Sequence, residues 1–125
     1  MTGIVDDYGR AVVPITVRDP TTQRILRIDA WIDTGFTSSL ILLPTHIQQL
    51  TPPRIGSVRI QVADGSIASV ETYLCDVEWD GDFKQCEVLL ADGKFAMIGV
   101  GLLEDMQLTI DYPARTVNLS RSPAA

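Results

Sequence analysis

Ile28-Asp29-Ala30-Trp31-Ile32-Asp33-Thr34-Gly35-Phe36-Thr37-Ser38-Ser39-Leu40-Ile41-Leu42-Leu43-Pro44 sets an acid between two apolar segments. Upstream, Leu26, Ile28, Ala30 and Ile32 fall on one face of an extended chain, with Arg27, Asp29 and Trp31 on the other. That alternation predicts a half-buried strand over residues 24–32. Downstream, Leu40–Leu43 is wholly apolar and ends at Pro44, as suits a short buried strand. A carboxylate in this position is costly unless it is paired, hydrogen-bonded or neutralised. Gly35 permits a close backbone approach and Thr34 can join a hydrogen-bond network, so the segment describes an acid in a rigid, partly dry turn. Taken alone, Asp-Thr-Gly fits a plain turn equally well.

Outward from this segment the chain reads as strands punctuated by turn chemistry. Val12–Val17 is a β-branched run stopped by Asp19-Pro20, and Pro44–Leu50 has room for one or two helical turns before Pro52-Pro53. A two-residue turn on Asp80-Gly81 pairs Trp79 with Asp82, Val77 with Lys84, Cys75 with Cys86 and Tyr73 with Val88. That register gathers Tyr73, Cys75, Val77 and Trp79 with Cys86, Val88 and Leu90 on one face. It leaves Thr72, Asp76, Glu78, Gln85 and Glu87 on the other, relieved by Leu74, Phe83 and Leu89. A second Asp-Gly turn, at Asp64-Gly65, joins residues 58–63 to 66–70; its mixed faces predict a hairpin that projects from the body. A short helix within 99–106, a strand at Leu108–Ile110, a turn at 111–114 and a strand at Thr116–Leu119 finish the chain. Many short strands with regular turns imply a barrel or sandwich. With no repeat, tract or linker, residues 1–125 are expected to form one domain.

In this setting the run from Ile28 resembles the active-site segment of retropepsin-like aspartic proteases, especially the bacterial and archaeal branch. About sixty residues on, Ala96-Met-Ile-Gly-Val-Gly-Leu-Leu103 resembles the same family's second mark, a hydrophobic pair, Gly and a short helix with Leu-Leu. The Asp64-Gly65 hairpin lies between them, where the family has its substrate-covering flap. The resemblance spans roughly residues 12–119. It implies an all-β closed acid-protease barrel subunit with one short C-terminal helix, and the activity of an aspartic endopeptidase.

By the same resemblance Asp33 is the catalytic acid, and Thr34 locks two active-site loops together across a subunit boundary. Gly35 admits the substrate backbone, with Phe36 and Thr37 completing the loop. Ala63, Asp64, Gly65 and Ser66 form the flap tip, while Ile98 and Gly99 support the floor. The chain departs from viral members at Phe36, Thr37 and Ser38, where they carry a small residue and then acids, and in having one Gly at the flap.

One carboxyl must activate water while another, protonated, donates to the carbonyl oxygen. Two carboxyls about 3 Å apart cannot both ionise, so they share a proton. The chain has a single Asp-Thr-Gly; Asp64, Asp80 and Asp92 also precede Gly but lack the Thr and the apolar lead-in. The second acid is therefore expected from a twofold-related copy, making the active species a homodimer acting on an extended peptide. The resemblance further suggests interleaved terminal strands at that interface, with Thr116–Leu119 the candidate. No metal or organic cofactor is required. The other reading, from a different class, is a catalytically inactive dimeric peptide-binding or scaffold module, with Phe36 narrowing the cleft.

Bulk properties agree. Ten Lys/Arg against sixteen Asp/Glu give a net charge of −6 with no basic face, which argues against nucleic acid and anionic membranes as partners. No secretory signal or apolar span is visible, so a cytoplasmic location is expected. Cys75 and Cys86 lack metal-ligand spacing; facing each other across the hairpin they lie within disulfide range, but in a cytoplasmic protein two reduced core thiols are the expectation. His46, the only histidine, is expected to be solvated or locally bonded, Trp31 and Trp79 to anchor packing, and Asp6-Asp7 to be a solvated pair.

Overall fold

In a computed structural model, which describes residues 1–125, ten strands and two short helices follow in the order β1 (Thr2–Val5), β2 (Ala11–Arg18), β3 (Ile25–Ile32), β4 (Leu40–Leu42), α1 (Pro44–Leu50), β5 (Arg54–Gln61), β6 (Ile67–Trp79), β7 (Asp82–Leu90), β8 (Ala96–Ile98), α2 (Val100–Leu103), β9 (Met106–Asp111) and β10 (Thr116–Arg121). The strands pair in the order β5-β6-β7-β4-β8-β3-β2-β1-β10-β9, and β6 also pairs with β2. That extra pairing closes β2, β3, β8, β4, β7 and β6 into a six-stranded barrel. The predicted all-β barrel is thus observed, and each helix lies where the prolines and glycines left room for one.

Alternation builds the interior. Ala11, Val13, Ile15 and Val17 of β2 turn inward with Ile28, Ala30 and Ile32 of β3. Leu40, Leu42, Val77, Val88 and Ile98 complete the centre, all fully buried. Pro14 sits inside β2 without breaking it. It falls between the residues that pair with β1 and those that pair with β6, where β2 has only β3 beside it.

The β6–β7 hairpin has the predicted register, from Thr72 opposite Leu89 to Trp79 opposite Asp82. Asp80 and Gly81 both take left-handed backbone, with φ of 53° and 92°, as a primed two-residue turn requires. Its second face is less exposed than the alternation implied. Thr72, Asp76 and Leu89 are buried there. At the barrel seam, where Arg18 is opposite Asp76, the Arg18 guanidinium donates twice to Asp76 Oδ2 (2.9 and 3.1 Å) and stacks on Phe83.

The opposed thiols of Cys75 and Cys86 are buried and unbridged. Burial, with the nearby charge of Asp19, pushes Cys75 up to about 12. Thiolate is the reactive form, so Cys75 is expected to resist alkylation near pH 8 in the native protein and to react at once in denaturant. Equal rates in both conditions would contradict this packing.

His46 is bonded locally: its Nδ1 accepts the Leu43 N–H at 3.1 Å, at the start of α1. Burial holds its imidazole below the usual range. The unfolded chain therefore binds the proton more readily than the native one, and stability falls as pH drops through about 6.5. Urea titrations at about pH 7 and about pH 5.5 are expected to show a smaller loss for His46→Gln than for the native chain.

Two expectations change here. Asp6 is not simply solvated, whereas Asp7 is exposed as expected. Asp6 accepts from the Tyr8 and Arg10 amides and the Arg10 guanidinium, bonds that hold its carboxyl below the usual range, and Asp7 pairs with Arg115 at 2.7 Å. Thr116–Leu119 lies inside β10, hydrogen-bonded to β1 on one side and β9 on the other. It offers no free edge for interleaving with a second copy. The free terminal edge is that of β9.

Candidate active site

The 33–39 loop leaves the barrel at the end of β3 and returns as β4, and α2 packs beneath it. The Asp33 amide donates to Ile98 O at 2.8 Å, fixing the start of the loop to β8. From the other end, Gly99, Val100 and Gly101 at the head of α2 donate to the carbonyls of Ser39, Phe36 and Ser38 (2.9, 2.8 and 3.0 Å). Residues 36–39 thus satisfy both their own carbonyls and the unpaired amides of a helix start. The contact is close enough that a Cβ on Gly99 would lie 2.1 Å from Ser38 O and 2.4 Å from Phe36 Cδ2.

Within this frame Asp33 is half-buried. Its Oδ1 accepts the Gly35 amide at 2.9 Å, and a Cβ at Gly35 would come within 3.2 Å of that oxygen. Gly35 therefore both donates to the carboxylate and keeps its approach open. Thr34 and Thr37 are exposed at the loop surface.

Opposite this loop stands the β5–β6 hairpin, projecting as predicted, with a different tip. Gln61 is opposite Ile67, one step from the register of a two-residue turn. The tip is a tight turn in which the Gly65 amide donates to Val62 O (2.9 Å), with Gly65 left-handed at φ 87°. Asp64 Oδ1 takes both the amide and the hydroxyl of Ser66 (2.9 and 2.6 Å), bonds that favour a turn with a left-handed third residue over the primed form.

Between loop and hairpin lies a cleft of about 630 Å³, lined by Asp33, Gly35 and Phe36 below and by Ala63 and Gly65 of the tip above. Of the residues singled out from sequence, these five face the cleft. Thr37 lines an adjoining compartment of about 470 Å³. Thr34, Asp64 and Ser66 stand outside the lining, and Ile98 and Gly99 lie beneath the loop as floor. Met97, Ile41, Ile60, Gln61 and Val62 complete the cleft and were not singled out. The signal for Met97 and Ile41 was present: each is the half-buried middle residue of a three-residue strand whose neighbours are core, and the two are paired. Asp33 is the only carboxylate of the chain in the cleft.

A closed six-stranded barrel with an Asp-Thr-Gly loop seated on a glycine-led helix defines a retropepsin-like fold. Solved structures share it, two of them as follows. A retropepsin-like aspartic protease from Rickettsia conorii superposes with a TM-score of 0.71 at 18% identity, over 95% of this chain and 88% of that one. The EIAV protease, solved with the inhibitor HBY-793, superposes with a TM-score of 0.59 at 21% identity, over 77% and 86%. No protein-family model matches the chain, and no curated protein is similar to it in sequence.

Proposed function

We propose that this chain is an aspartic endopeptidase, one domain over residues 1–125, active as a symmetric homodimer in the cytoplasm. One Asp33 from each copy would share a proton, one carboxylate activating water and the other carboxyl donating to the peptide carbonyl. The observation that carries the reading is the solitary Asp33. It is presented to a peptide-sized cleft, held by the Gly35 amide, and has no second acid from its own chain beside it.

Each remaining residue then has a part. Thr34, exposed at the loop surface, would meet its twin across the twofold axis. Gly35 leaves room for the substrate backbone. Ala63 and Gly65 would cover an extended peptide, whose backbone bonds to flap and floor. No metal or organic cofactor enters the reaction. No helix is long and apolar enough to cross a membrane.

The second reading, a silent peptide-binding module, has one observation in its favour. Phe36 reaches both the cleft and the adjoining compartment and takes up room there.

Subunit stoichiometry separates the two. A peptidase assembled this way is expected to show specific activity on an unfolded protein, at mildly acid pH, that rises with enzyme concentration and levels off as sedimentation reports full dimer. A protein that cleaves as a monomer, or that dimerises and binds peptide without turnover, would overturn the proposal.

A further inference from the structure

The cleft and its adjoining compartment share Gly35, Phe36, Ile41, Ile60 and Gln61, so the two lie side by side along the same walls. Only two charged side chains line them: Asp33 in the first compartment and Arg59 in the second. Arg59 takes part in none of the chain's five ion pairs. Glu71, two residues along the neighbouring strand from Arg59's partner Ser69, is engaged by Arg54 (3.8 Å) and by the Tyr73 hydroxyl (2.7 Å). In a chain with a net charge of −6, an arginine with no ion-pair partner thus lines a compartment whose apolar lining comes from Phe36, Ile41, Ile60 and Leu89.

We infer that Arg59 is a specificity-determining residue, selecting peptides that place an acidic side chain in the second compartment, close to the scissile bond. The inference rests on the peptidase reading and names its substrate class. A glutamate fits the lining in both its parts: its methylenes lie against Phe36 and Leu89, and its carboxylate meets the guanidinium fork, which can bond two oxygens at once. A lysine in the same place would bring like charges together in a partly enclosed compartment. Because Arg59 is exposed, the pair is screened by solvent and the selection is modest, roughly three- to tenfold for Glu over Gln.

The test is to digest a pool of unfolded proteins with the native chain and with Arg59→Gln and Arg59→Glu, reading the cut sites by mass spectrometry. Glu and Asp are expected to be enriched several-fold at one position beside the cut. The enrichment should vanish in Arg59→Gln and turn toward Lys and Arg in Arg59→Glu. It should also shrink in about 1 M salt, where the screening length is ~3 Å; a purely structural role for Arg59 would not respond to salt in this way. Efficient cleavage without acidic enrichment overturns the inference and leaves the peptidase reading standing. If nothing is cut, binding of position-scanned fluorescent peptides to the native chain and to Arg59→Glu decides. A preference for acidic peptides that reverses in the variant upholds the role of Arg59 while the peptidase reading fails, and no binding or no preference overturns the inference.

Discussion

Asp33→Asn is expected to reduce peptide cleavage by roughly 10³-fold or more while leaving the fold intact. Acid–base catalysis by a positioned side chain is worth roughly 10²–10⁴ in rate, and in a symmetric dimer one substitution removes both carboxyls together. The amide keeps an acceptor oxygen for the Gly35 N–H and nearly the same volume, so the loop loses little. Asp33 is half-buried and forms no ion pair within the chain, and the thermal midpoint should shift by no more than about 1 kcal/mol implies. Assaying cleavage beside a circular-dichroism melt separates chemistry from folding. Activity within tenfold of the native chain, with an unchanged melt, would remove Asp33 from the mechanism. Mixing native chain with an excess of the variant adds a second check. Mixed dimers hold a single carboxyl, so activity should fall as the native chains are drawn into them.

Gly99→Ala is expected to be the most damaging single-carbon addition around the Asp33 loop. The new Cβ would meet Ser38 O at 2.1 Å, Phe36 Cδ2 at 2.4 Å and Phe36 O at 2.7 Å. Two of those three atoms are backbone carbonyl oxygens, and both accept amides from the head of α2. Relief therefore requires the 36–39 loop and α2 to separate, straining the bonds that join them. Overpacking of this kind costs about 3 kcal/mol or more, a large share of the stability of a domain this size. A fall of roughly 10 °C in the melting midpoint is expected, with activity lost even where folded protein survives, because the same loop carries Asp33. Gly56→Ala is the control. A Cβ there meets nothing within 4 Å, and its midpoint should stay within about 0.5 kcal/mol of native. If Gly99→Ala melts like the control, the close packing of loop on helix is wrong.

Much of this architecture was legible from local pattern. A β-branched run marked β2, period-two alternation marked β3, the Asp80-Gly81 dipeptide set the β6–β7 register residue by residue, and prolines bounded α1. These features depend on neighbours a few residues apart, where backbone geometry and turn chemistry are decided by side-chain type alone. The Asp64-Gly65 tip shows how narrow that margin is. The same dipeptide makes a different turn there because the hydroxyl of Ser66, absent at Asp82, bonds back to Asp64.

Sequence by itself determined an all-β chain, the single Asp-Thr-Gly and the floor segment that would sit beneath it. Only the tertiary structure decided that β6 closes the barrel on β2 through Arg18 and Asp76, that β10 is enclosed between β1 and β9, and that Met97 lines the cleft with Asp33 while Arg59 lines the compartment beside it. Those outcomes join residues tens of positions apart, and Asp76 gives no local sign that its partner is Arg18. Pairings at that distance are selected by the free energy of the whole packed barrel, to which no short stretch of sequence has access.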